Sequence, residues 1–298
     1  MTHLHTLVMT TLAMAAFAGN SLLCRLALKQ TEIDASSFTA IRLISGALVL
    51  WLVVRSRRSA QIGDGNWLSA GALFSYAACF SFAYVSLPTG TGALLLFGAV
   101  QALMIGYGLW SGERLRLVQL VGLVVAFSGL AGLLLPGVSA PPLGGSVLML
   151  LAGLSWGVYS LRGKGAGDPI RVTAGNFLRA APLAVALGLF MLLANGLSLG
   201  ATGFWLAIAS GALTSGVGYA VWYSVVPALK SMTAATVQLS VPVIAALGGI
   251  AFLGEPLTLR LLLASMAILG GIGLVLLQKR AETAAAPPGK SPGTKITG

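Results

Sequence analysis

The chain has 298 residues, of which 57% are hydrophobic and only 8% charged, and its mean hydropathy is +0.92. Soluble domains carry roughly 25% charged residues, so a water-soluble globular protein is excluded and the solvent facing most of this chain is lipid. The formal charge of +11 does not call for a nucleic-acid partner, because the basic residues are scattered over short loops and form no stripe interleaved with aromatics.

A helix needs about 20 mainly apolar residues to cross a ~30 Å hydrocarbon core. Ten such runs follow one another: roughly 6–28, 36–54, 66–87, 91–110, 117–135, 145–161, 173–195, 203–226, 232–253 and 258–277. The expected fold is therefore an all-α integral membrane protein of ten transmembrane helices. The first run lacks a small-residue cleavage site before Lys29 and reads as a retained span. The polar stretch after Gln278, rich in Pro and Gly, reads as a disordered cytoplasmic tail over 279–298.

Alternate loops differ in basic content. One set holds Arg55, Arg57, Arg58, Arg114, Arg116, Arg162, Lys164, Arg171, Lys230, Lys279, Arg280, Lys290 and Lys295; the other holds Arg25, Lys29 and Arg260. Thirteen against three places both termini on the cytoplasmic side and makes the span count even. Cys24 and Cys79 have no CxxC spacing and no histidine pair near them, and His3 and His5 precede the first span, so neither a metal nor another cofactor is expected.

An internal repeat divides the chain at about residue 140. SGERLRLVQLVGL after the fourth span matches LGEPLTLRLLLAS after the ninth, which puts Glu113 and Glu255 at equivalent points. FTAIR ending at Arg42 parallels GNFLR ending at Arg179, and LAMAAFAGNS from Leu12 parallels LAGLSWGVYS from Leu151. Two five-helix repeats, 1–140 and 141–278, are implied. Five is odd, so the second enters the membrane from the opposite face, the inverted plan of many secondary transporters, with a site near the midplane between halves.

These residues carry a family resemblance. Gly112-Glu113 and Gly254-Glu255, Pro242 midway along the ninth span, Arg42 and Arg179 in the second span of each half, and Ser155-Trp156-Gly157 occur in an order that resembles the EamA-type branch of the drug/metabolite transporter superfamily. Val100 and Gln101 stand where the second half has Pro242. Within the superfamily the aromatic stretches look most like the aromatic amino-acid exporters. The resemblance implies a central cavity ringed by spans 1–4 and 6–9, with spans 5 and 10 peripheral, and export of amino acids, aromatic and other neutral ones, across a bacterial inner membrane by a monomer. Another small metabolite or a drug-like compound on the same fold is the alternative.

A site for a zwitterionic aromatic molecule needs apolar rings and a few hydrogen-bonding groups. Candidate rings at helical spacing are Trp156 and Tyr159, Tyr219 and Trp222, and Tyr76 and Phe80; candidate amides are Asn20, Gln101, Asn176 and Gln238. Tyr84 and Trp110 lie near span ends and read as interfacial belt residues. Arg42 and Arg179 are the ionisable residues expected within spans. Snorkelling, or pairing with a carbonyl across the half-half boundary, is the preferred reading, and carboxylate capture the alternative. Glu113, Glu255 and Pro242 are assigned structural or gating roles. No carboxylate or histidine is expected at membrane depth, which speaks against a proton relay; no catalytic constellation marks an intramembrane enzyme.

Overall fold

The computed structural model describes residues 3–57, 64–112, 116–137, 140–163, 167–196, 198–229, 234 and 237–285. Among these the chain forms ten long helices: α1 His3–Gln30, α2 Ala35–Ser56, α3 Trp67–Tyr84, α4 Thr89–Trp110, α5 Leu117–Leu134, α6 Leu143–Gly163, α7 Pro169–Asn195, α8 Ala201–Val225, α9 Ser240–Leu253 and α10 Leu259–Ala285. No strand occurs among the described residues. Eight of the ten are long and apolar enough to cross a membrane by length and composition. The other two are α3 and α9; α3 is only 18 residues long and carries three Ser and two Tyr, while α9 is an apolar helix of 14 residues.

Local chemistry sets the helix ends. Asp34 caps α2 by accepting from the Ser36 and Ser37 N–H groups, Asn66 caps α3 through the Ser69 N–H, and Asp168 caps α7 ahead of Pro169 in the first turn. The glycines of the two Gly-Glu turns share one backbone feature. Gly112 has φ +90° and Gly254 φ +62°, a left-handed region that closes a helix and that side chains avoid. Glu113 itself lies outside the described residues, as does the terminal stretch 286–298. Helix α10 runs to Ala285, so the segment after Gln278 is not wholly tail: Lys279 to Ala285 is rich in good helix formers, and helix ends before Pro287 and Pro288.

Packing follows the repeat. Helices α2 and α7, α4 and α9, and α5 and α10 pair with their own counterparts, while α3 on α6 is matched by α8 on α1, and α4 on α6 by α9 on α1. Helices α5 and α10 lie together at the edge. Small residues permit this closeness where no hydrophobic effect drives helices together. A Cβ on Gly122 or Gly271 would strike the opposite backbone between α5 and α10, and one on Gly153 would strike the Leu96 carbonyl of α4.

Two elements depart from the regular pattern predicted. Helix α8 is π-helical over Ser210–Val217. Pro242, expected inside one continuous helix, sits in the first turn of α9, just after a break in the helical backbone. Its ring would clash with the carbonyl four residues back, that of Gln238, and the helical backbone is interrupted at Leu239.

Candidate functional site

Between the halves lies a cavity lined by Phe17, Asn20 and Ser21 of α1, Tyr76 and Phe80 of α3, Leu96 and Phe97 of α4, Trp156 of α6, Thr214, Ser215 and Tyr219 of α8, and Gln238. It leaves about 430 Å³ of space between atoms, of which about 30 Å³ admits the centre of a water molecule. That is room for roughly two waters and none for an amino acid, so the cavity must widen to admit one.

The rings form a continuous set. Trp156 stacks on Tyr219 with centroids 5.3 Å apart and planes at 29°, tilts against Tyr76 at 4.9 Å and against Tyr159 at 5.4 Å. Phe17 meets Tyr219 edge-on at 5.7 Å and Trp222 at 5.9 Å, and Phe80 lies 5.4 Å from Tyr76. Such pairs contribute about 0.5–1.5 kcal/mol each beyond area burial, so the wall is shaped before anything binds.

A polar network runs behind the rings, and the π-helical turn creates half of it. Ser210 donates to Asn20 Oδ1 at 2.7 Å, and the Thr214 hydroxyl, which donates to the Ser210 carbonyl at 2.6 Å, lies 3.3 Å from the same oxygen. Asn20 Nδ2 donates to Tyr76 Oη at 3.3 Å. Arg42 Nη2 donates to the same oxygen at 3.1 Å, and its Nε to Ser215 Oγ at 3.3 Å. The π-helical segment comes this close to α2 because Gly211 has no side chain: a Cβ there would strike Ser45 Oγ and the Arg42 carbonyl oxygen. Arg42 is 1% exposed, and its Cζ lies 5.2 Å from the Tyr76 ring centroid and 5.0 Å from that of Phe80. It therefore does not snorkel: with its head group hydrogen-bonded inward between α3 and α8, the side chain has no route to an interface. Arg179 is only half-buried and donates to the carbonyl of Gly175 in its own helix at 2.9 Å.

Of the predicted contact residues, Asn20, Tyr76, Phe80, Trp156, Tyr219 and Gln238 are brought to the cavity. Tyr159 and Trp222 are buried one ring further back. Gln101 is buried on α4 away from the lining, and Asn176 accepts the Asn66 N–H at 3.1 Å, holding the start of α3. Phe17, Ser21, Phe97, Thr214 and Ser215 were missed from the sequence. Ser210 and Thr214 are four apart, and Phe17 precedes Asn20 by one turn, so a hydroxyl and ring periodicity was present to find.

Both ends of the cavity carry polar ties. At one end Arg25 pairs with Glu255 at 3.3 Å and donates to the Tyr84 and Val85 carbonyls at 2.8 and 2.9 Å, while Glu255 accepts the Thr89 N–H at 2.7 Å. Arg25, read above as a loop residue, thus lies buried in α1. Tyr84, read as a belt residue, is fully buried with its hydroxyl donating to the Thr89 carbonyl; Trp110 is 87% exposed. At the other end Arg162 donates to Ser69 Oγ and Asn66 Oδ1 at 3.1 and 3.2 Å, and Arg171 pairs with Asp64 at 3.2 Å.

The EamA-like transporter family matches residues 143–277. An uncharacterized protein of Pseudomonas aeruginosa is 59% identical over 272 residues, covering 91% of this chain and 94% of that one. The chain belongs to the EamA-like transporter family. The uncharacterized transporter YvbV of Bacillus subtilis is 24% identical over 84% of this chain and 85% of its own, and an uncharacterized transporter of Archaeoglobus fulgidus is 27% identical over 53% and 57%. A crystal structure 17% identical superposes with TM-score 0.65 over 94% of this chain and 99% of that chain, a likeness of fold alone. This EamA member is thus a multi-pass membrane transporter, and the cavity between its halves is the place to look for cargo.

Proposed function

We propose that the chain is a secondary transporter that exports amino acids, aromatic and other neutral ones, by alternating access through the cavity centred on Trp156. The observation that carries the reading is the ring set around Trp156, backed by the Asn20 and Arg42 network, which joins flat apolar surface to hydrogen-bonding groups in one space. A cargo ring that slips between Trp156 and Tyr219 exchanges one stacking contact for two, while the polar wall replaces water around the charged end. Trp156, Tyr76, Phe80, Tyr219, Asn20 and Gln238 are the contacts; Tyr159 and Trp222 support the rings from behind. The Arg25–Glu255 tie gates one end, and Arg162 with Asn66 and Ser69 the other. Among the described residues no carboxylate lines the cavity, which favours transport down the cargo gradient over proton coupling. The loop charges support both termini in the cytoplasm, and the family resemblance suggests a monomer in a bacterial inner membrane.

Uptake of a labelled amino-acid panel into reconstituted liposomes tests this reading. Wild type is expected to move phenylalanine and tryptophan, and Trp156→Ala to lower that flux by about tenfold, the equivalent of one or two aromatic contacts. Absence of aromatic flux in the wild type overturns the substrate assignment; unchanged flux in the variant overturns the site.

A further inference from the structure

Among the described residues Arg42 is the fully buried cation with no carboxylate within 4.0 Å. Arg25, the other buried arginine, has Glu255. Two donors in this wall are unused. Arg42 Nη1 is buried and makes no hydrogen bond. Tyr76 Oη accepts from both Asn20 and Arg42, so its own O–H is left to donate elsewhere, and Tyr76 lines the cavity. Ser215 and Phe80, which hold the guanidinium from two other sides, line it as well. The positive charge therefore lies one side chain behind the cavity wall. Burying a guanidinium without a counter-charge is costly, and the two ring faces offset only part of that cost. A permanent carboxylate partner would remove the cost but would also cancel the charge.

The geometry points to a carboxylate of the cargo as the missing partner, received at the wall by the Tyr76 hydroxyl and held by the charge of Arg42 directly behind it. This rests on reading the cavity as the cargo site, and it narrows the substrate class to molecules that carry a carboxylate. Decarboxylated amines and carboxamides are rejected, because they bring the same ammonium as an amino acid without the carboxylate that balances it, and so set a net positive charge against an Arg42 that stays unpaired. Arg42 is then the specificity-determining residue, acting on the charged end of the cargo while the rings act on its side chain.

Ligand-dependent thermal unfolding of the detergent-purified protein tests this, with phenylalanine, leucine, phenylalaninamide and phenylethylamine as probes. The wild type is expected to bind phenylalanine about 30-fold more tightly than the amide or the amine, the scale of one charge-assisted hydrogen bond lost beside a buried ion. In Arg42→Gln the acid and the amide are expected to bind within a few-fold of each other. Equal binding of acid and amide by the wild type overturns the proposal without need of a variant. So does a variant that weakens both ligands equally, the mark of a purely structural arginine, and so does failure of every carboxylate in the panel to bind. If leucine binds and phenylalanine does not, with leucine binding lost in Arg42→Gln, the aromatic assignment falls and the role of Arg42 stands.

Discussion

Tyr76 is where the rings and the polar network meet: its ring tilts against Trp156, the Arg42 guanidinium lies over that ring, and its oxygen accepts from two buried donors. Tyr76→Phe keeps the ring and leaves Arg42 Nη2 and Asn20 Nδ2 without that acceptor. The expected cost is about 1–3 kcal/mol of stability, read as a lower thermal midpoint, with weaker binding of any carboxylate cargo. The sequence made the amides and rings conspicuous, because in an apolar chain every polar or aromatic residue at helical spacing stands out. It did not reveal the fate of Arg42. Whether an arginine one or two turns into a span reaches an interface or the interior depends on the rotation of α2 against α3 and α8, which is decided by contacts more than 30 positions away in sequence.

At the scale of the element, α8 shows how a glycine places a polar wall. Gly211→Ala puts a methyl group into Ser45 and into backbone at Arg42 that cannot turn aside; a loss of about 1–3 kcal/mol is expected, together with loss of transport. Gly188→Ala on α7, where a Cβ meets nothing within 4 Å, is the control expected to leave both unchanged. The π-helical turn itself was not legible, since a residue's extra rotation leaves no mark in hydrophobic periodicity. The cap of α2 was open to inspection and carries a pH signature. Partial burial raises the Asp34 carboxyl, but hydrogen bonds from the hydroxyls and N–H groups of Ser36 and Ser37 outweigh it and hold the group below its ordinary 3.8. Because the folded value lies below the unfolded one, the cap contributes fully above about pH 4 and fades as pH falls through the folded value. Asp34→Ala should cost about 1 kcal/mol at neutral pH, and the difference from wild type in denaturant midpoint should shrink below pH 4.

For the whole molecule, the pairing of equivalent helices follows from a repeat that was visible in paired motifs. What the motifs could not convey is that the equivalents differ: Arg42 is buried and Arg179 half-buried, and Glu255 reaches Arg25 across the top of α3. Breaking a buried ion pair by removing one partner costs about 3–5 kcal/mol, so Glu255→Gln should loosen the Arg25 end and raise solvent access to the cavity from that side. Cargo is expected to pass through the cavity between the halves. The most direct test of this route is thiol accessibility of Gln238→Cys in a background without Cys24 and Cys79, using a membrane-impermeant reagent on right-side-out and inverted vesicles. Labelling is expected from both faces, slowed by phenylalanine and faster from the Arg25 side when Glu255→Gln is added. Labelling confined to one face, or indifferent to phenylalanine while the protein still transports it, would show that cargo takes another route.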